Sequence, residues 1–184
     1  MNKTVILNGS PRKKGNTSYI VNELKTSVEE KIAASEVVVL TVNNMDFKSC
    51  QACEGCKRTG GKCVFKDDTN AMISEILSAD NLVFATPVYF FGMTAQLKLA
   101  IDKFYCVGGM DKPFGKKKIG IISVGGAATN HGQYDLISKQ FKMMFDYIGW
   151  DIVFDIPVAA HKIGDAEKNE ELKETINELY KSLI

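Results

Sequence analysis

Short apolar runs alternate with longer amphipathic stretches along the whole chain. Val5, Ile6 and Leu7 form a run without polar alternation, the pattern of a strand buried on both faces. From Thr17 the spacing changes, and Ile20, Val21, Leu24, Val28 and Ile32 fall on one helical face. A second β-rich run covers residues 36–42, and an aperiodic stretch follows from residue 43 to about 66. Asp67 and Asp68 then stand as caps before a helix with Met72, Ile73, Ile76 and Leu77 inward. Residues 81–85 read as a third strand, and Leu97, Ala100, Ile101 and Phe104 as the inner face of the next helix. A fourth strand is expected over 118–124, before a helix marked by Leu136, Ile137, Phe141, Met144 and Ile148 and stopped by Gly149. Residues 150–158 supply a fifth strand; Leu172, Ile176, Leu179 and Leu183 line a last helix.

Five strands alternating with helices predict an α/β fold: a three-layer, doubly wound, five-stranded parallel sheet. Right-handed crossovers and a ligand loop after the first strand fit the flavodoxin-like order 2-1-3-4-5. In such sheets ligands bind beyond the carboxyl ends of the strands, so the chemistry is expected in the loops after strands one, three and four. At 184 residues the chain reads as one domain over 1–184, with the cysteine-rich loop at about 43–66 as its one long irregular segment. A net charge of +1 offers no global field for nucleic acid or an anionic membrane. No apolar run approaches a membrane span, and the first strand begins too early for a signal peptide, so a cytoplasmic protein with mostly reduced or metal-bound cysteines is expected.

The loop after the first strand combines Gly9, Ser10, Pro11, Arg12, Gly15, Asn16, Thr17 and Ser18 at a helix start. Unpaired first-turn N–H groups and the helix dipole make such a junction an anion site. It is not a Walker loop, because Gly9 and Gly15 have five residues between them and Asn16 stands where the lysine should be. It is not a dinucleotide fingerprint either, since Pro11 and Lys14 occupy the places of the second and third glycines. A terminal monophosphate suits it best. After the third strand, Pro87, Tyr89, Phe90, Phe91 and Gly92 offer an aromatic wall for a flat ring, with core or subunit contact as the alternative. After the fourth, Gly125 and Gly126 allow close backbone approach; His131 nearby reads as a solvated loop histidine or a donor to the ligand.

The stretches GSPRKKGNTS, the cysteine segment ending CVFKDD, and TPVYFFGMTAQLKLAIDKF resemble the NAD(P)H-dependent FMN reductase-like flavoproteins, including the iron–sulfur flavoproteins. The resemblance implies FMN, its phosphate held by Ser10, Arg12, Asn16, Thr17 and Ser18. It implies an isoalloxazine lined by Pro87, Val88, Tyr89 and Phe90 with Gly125 and Gly126 nearby, NAD(P)H as co-substrate, and a homodimer or homotetramer. The flavin would carry the chemistry, so no side chain is assigned a catalytic role. A passive electron shuttle is the rival reading, weakened by the near-neutral charge; a redox or metal sensor is another.

Cys50, Cys53, Cys56 and Cys63 follow the spacing C-x-x-C-x-x-C-x6-C. Closely spaced runs of this kind hold iron–sulfur clusters, whereas structural zinc more often uses two separated pairs. Free thiols or a disulfide are the remaining options. The resemblance to iron–sulfur flavoproteins points to a 4Fe-4S cluster on these four residues, fed by a ferredoxin-like donor. Cys106, alone after a helix, is expected to be a buried or partly exposed thiol.

Overall fold

The computed structural model describes residues 2–108 and 115–184. Strand β1 (Asn2–Asn8) leads into helix α1 (Asn16–Lys31), and β2 (Ser35–Thr41) into the cysteine segment, which contains one helical turn, α2 (Gly55–Arg58). Helix α3 (Thr69–Ser78), β3 (Asn81–Pro87), α4 (Ala95–Asp102), β4 (Lys118–Gly125), α5 (Gly132–Ile148), β5 (Asp151–Ala159) and α6 (Glu170–Glu178) follow. Every neighbouring strand pair is parallel, and the order is β2-β1-β3-β4-β5. The expected topology is therefore the observed one. The chain reverses direction across the sheet between β1 and β3, which opens a crevice at their carboxyl ends.

Alternation along the central strands builds two cores. Val5, Leu7, Leu82, Phe84, Ile119 and Ile121 face α3, α4 and α5, while Ile6, Val83, Ala85, Ile122 and Val124 face α1 and α6. On the first side Phe84, Phe141 and Phe145 pack with ring centroids 5.1–5.5 Å apart. Gly120 in β4 leaves the space that the Phe154 ring of β5 fills; a Cβ there would lie 2.0 Å from that ring. The strand register shifts at the same point, between Ile119 and Gly120.

Several apolar positions depart from expectation. Leu136 is exposed because the buried stripe of α5 runs through Tyr134, Ile137, Phe141 and Phe145, and Leu136 lies on the opposite face. Leu77, in the last turn of α3, is also exposed. Phe104 is buried, but on a 3₁₀ turn (Lys103–Cys106) that follows α4. Asp68 occupies the N-cap position of α3 without capping through its side chain; Asp67 does so instead, accepting from the Thr69 N–H at 3.0 Å. The far end of α3 is closed by Lys117, whose buried ammonium donates to the carbonyls of Leu77 and Ala79. Among the described residues, no helix is long and apolar enough to cross a membrane.

Candidate functional site: a cofactor crevice and a thiol pocket

Four loops meet at the carboxyl edge of the sheet. They enclose a cavity of about 150 Å³ lined by Ser10, Arg12, Gly15, Asn16, Thr17, Pro87, Val88, Tyr89, Gly125 and Gly126, among others. Nine of the eleven residues expected around the cofactor line this cavity; Ser18 and Phe90 do not. A larger apolar hollow of about 510 Å³, lined by Ile101, Phe104, Met144 and Phe145, lies between α4 and α5 on a flank of the sheet, away from this edge.

The phosphate loop owes its shape to its own hydroxyls. The Arg12 carbonyl accepts from Ser18 Oγ at 2.8 Å and from the Gly15 N–H at 3.1 Å, while Ser10 Oγ accepts from the Arg12 N–H at 3.2 Å. Asn8 reaches up from β1 to donate to Ser18 Oγ and accept from the Ser10 N–H. Helix α1 then starts at the cavity wall with glycine at its N-cap, no capping side chain and no acidic residue in its first turn. Its first-turn N–H groups have no partner within the helix, and Thr17 is buried beside them. The exposed Arg12 side chain adds a cation. An anion fits this cradle.

Asn16 is differently engaged from what its position in the loop implied. Its Nδ2 donates to the carbonyls of Lys162 (2.8 Å) and Ala160 (3.5 Å), and its Oδ1 accepts from the N–H groups of Gly164 (3.1 Å) and Ala166 (3.2 Å). An amide side chain has two donor hydrogens and two good acceptor sites, so none is left for a ligand. The loop after β5 is thereby tied to the start of α1. It brings Ala160, His161 and Ile163 onto the cavity wall, three residues that the sequence reading did not include.

Beyond β3 the chain makes a tight reversal, in which Tyr89 and Gly92 exchange backbone hydrogen bonds of 2.9 and 3.2 Å. Phe90 and Phe91 sit between them with φ of 47° and 67°. Two bulky residues held in the left-handed region are strained. Tyr89 faces the cavity, whereas Phe90 is 99% exposed and points away. Opposite, a Cβ on Gly125 would lie 2.7 Å from Gln133 Nε2 and 2.9 Å from the Tyr134 hydroxyl, so only glycine lets these side chains pack against the backbone of this wall. Gln133 Nε2 is itself buried without a hydrogen-bond acceptor. His131 caps α5, its Nδ1 accepting from the Gln133 N–H at 3.2 Å, and is outside the cavity.

The cysteine segment is pinned at both ends to α3. The Lys48 N–H donates to Asp67, and Cys63 exchanges two hydrogen bonds with the Asn70 amide. Behind it lies a buried ion pair, Lys103 Nζ to Asp67 Oδ2 at 3.3 Å, both side chains at most 1% exposed. Burial alone would raise the Asp67 carboxyl, but hydrogen bonds from Thr69, the Lys48 N–H and Lys103 outweigh it and hold the group below its ordinary range. Cys50, Cys53, Cys56 and Cys63 line one small cavity, and Cys106 lines it too. Cys106 is buried, as expected, and the turn after α4 carries it to the sulfurs of Cys63 and Cys56. Burial, then those neighbouring thiols, pushes its own thiol up to about 12. All five are free, with Cys50 and Cys53 exposed at the rim. Among the described residues no three such groups are placed to hold a metal ion together. The donor set suits a cluster, but this arrangement of the sulfurs does not.

The family model for NADPH-dependent FMN reductase matches residues 2–165. This chain belongs to that family. An iron–sulfur flavoprotein of Methanocaldococcus jannaschii is 30% identical over 142 residues, covering 74% of this chain and 68% of the relative. Matches to three archaeal iron–sulfur flavoproteins span 68%, 60% and 63% of those proteins' lengths. A Bacillus subtilis protein named as an NAD(P)H-dependent FMN-containing oxidoreductase is 25% identical, over 97% of both chains. The fold of this FMN reductase family member is also that of an FMN-dependent NADH-azoreductase from Bacillus anthracis solved with FMN, at 16% identity, 99% coverage of both chains and a TM-score of 0.72.

Proposed function

We propose that the protein is an FMN-dependent NAD(P)H oxidoreductase reducing flavin- or quinone-type acceptors, with FMN in the crevice at the carboxyl edge of the sheet. One observation carries the reading: in a member of the FMN reductase family, an uncapped helix start and two loops with room for a flat ring open onto the same cavity. Bound FMN would supply the redox chemistry, taking two electrons from NAD(P)H and passing them to the acceptor.

The chain's own part is binding, orientation and access. The first-turn N–H groups of α1, Thr17 and Arg12 receive the phosphate; the Ser10 and Ser18 hydroxyls keep the loop in shape for it. Pro87, Val88 and Tyr89 form one side of the ring site, and the bare backbone of Gly125 and Gly126 the other. The Gln133 amide stands buried behind Gly125 with a donor unused and packs against the backbone of this wall. A cavity of about 150 Å³ is smaller than a drug-sized ligand site, so one flavin face stays open to the hydride donor. The working form is at least a homodimer, in which a second copy adjoins that open side.

The test is turnover of NADH or NADPH with a quinone, by protein freed of flavin and then supplied with FMN. Activity that rises with FMN to a stoichiometric end point supports the reading. Activity indifferent to FMN defeats it. The convergence of four motif thiols on one cavity favours a second reading, a 4Fe-4S cluster on Cys50, Cys53, Cys56 and Cys63. It requires the two rim thiols to turn inward. Anaerobic reconstitution tests it: iron and sulfide uptake no greater than in a Cys53→Ser, Cys56→Ser variant removes it.

A further inference from the structure

We infer that the loop after β5, residues 160–166, is a fourth wall of the FMN site, that Asn16 is the strut that holds it there, and that His161 contacts the ring end of the cofactor. The inference rests on the FMN reading above and adds a binding residue and a positioning residue to it.

His161 reaches the crevice from a loop 30 residues beyond the end of the glycine segment at His131. The Ala160 N–H donates to the Gly125 carbonyl at 2.7 Å, which splices the two loops together. His161 Nδ1 then stands 2.7 Å from where a Cβ of Gly126 would be, so the imidazole lies against the Gly126 backbone. That puts it beside the stretch formed by Gly125, Gly126 and Pro87–Tyr89, the ring side of the crevice. Arg12, the cation that lines the cavity, lies in the phosphate loop at the other end.

The loop is held in place without any ligand. Asp165 accepts from the N–H groups of both His161 (3.0 Å) and Lys162 (2.7 Å), and Asn16 contributes the four hydrogen bonds described above. A wall fixed in advance costs the cofactor little ordering on binding. Asn16, with its amide fully used, acts on FMN through this loop and not through the phosphate.

The test is fluorescence titration of flavin-free protein with FMN and, separately, riboflavin, which has the same ring and no phosphate. Thr17→Ala serves as the phosphate-side control and should weaken FMN alone. His161→Ala is expected to weaken FMN and riboflavin by the same factor, about three- to tenfold, and to shift the visible spectrum of bound FMN. Asn16→Ala should weaken both ligands and speed amide hydrogen exchange across 160–166, with thermal melting reporting that each variant folds. Unchanged binding of both flavins by folded His161→Ala overturns the proposal. So does a loss for FMN but not riboflavin, which would make His161 a phosphate ligand. Wild-type protein that binds neither flavin overturns the FMN reading itself, a result visible before any variant is made.

Discussion

Asp67 shows how much one side chain can hold. Its carboxylate caps α3, receives the Lys48 N–H from the cysteine segment and neutralises the buried Lys103. Removing one member of a buried pair leaves the other charge without a partner, at a cost of about 3–5 kcal/mol. Asp67→Asn should therefore lose stability of that order in urea denaturation. Asp67→Asn combined with Lys103→Met should recover part of it, because no charge is then stranded. The pH dependence has a definite sign. A carboxyl held below its ordinary value contributes fully above that ordinary value and loses the contribution as pH falls through the depressed one. Acid unfolding below about pH 4 should accordingly be less steep in the double variant. A stability unchanged by Asp67→Asn would show that the pair is not the clamp described here. At the same scale, the five thiols should differ in reactivity. Exposed Cys50 and Cys53 should be alkylated first and buried Cys106 last, an order that timed mass spectrometry of native protein reads directly.

Among the elements, the turn after β3 holds strain that no local residue pattern signals. Phe90 and Phe91 occupy left-handed positions that normally take glycine or asparagine, and Phe90 buries nothing within the chain. Relief of such strain, about 1–3 kcal/mol, exceeds the entropy that a glycine adds to the unfolded state, roughly 0.5–1 kcal/mol. Phe90→Gly should thus stabilise the isolated fold by about 1 kcal/mol in urea denaturation while impairing whatever the exposed ring contacts. A destabilised variant would mean that the turn is not strained. The other loops divide by how local their signals are. Gly9 to Ser18 was legible because glycines, hydroxyls and cations coincide within one strand–helix junction. Asn16 lines the cavity as expected, but its four hydrogen-bond partners lie about 150 residues away and no short-range pattern reports them. That Cys106 joins the other thiols is likewise invisible to short-range pattern, since the turn after α4 brings it there. His161 was missed although the rule used for β1, β3 and β4 also applies to β5. A histidine followed by Gly164 and Asp165 just past a strand's carboxyl end was the available signal.

For the molecule as a whole, strand order and both cores followed from runs of apolar residues, since a parallel sheet buried on two faces leaves few other arrangements. Surface apolar residues were harder, because a helical pattern alone does not say which of two apolar stripes faces the sheet. In α5 Leu136, Met143 and Tyr147 are spaced by seven and four residues and form a stripe opposite the buried one, with Tyr147 89% exposed. Apart from this stripe, the His131 ring at the helix start lies 6.3 Å from Phe91, whose ring meets the exposed Phe90. Extended apolar surface of this kind is uncommon on a monomer and marks a contact. The Phe90–Phe91 turn, in contrast, directly follows Tyr89, which lines a crevice smaller than a drug-sized ligand site. The second copy proposed above would cover both the stripe and the exposed turn. Light scattering of the purified protein should give at least twice the mass of 20.3 kDa. Met143→Glu with Tyr147→Glu should shift it toward monomer, since each charge would have to be desolvated in the contact. If one copy screens the flavin of the other, the same variant should bind FMN more weakly although neither residue lines the cavity. A wild-type monomer that binds FMN tightly would refute the arrangement and leave the crevice sufficient alone.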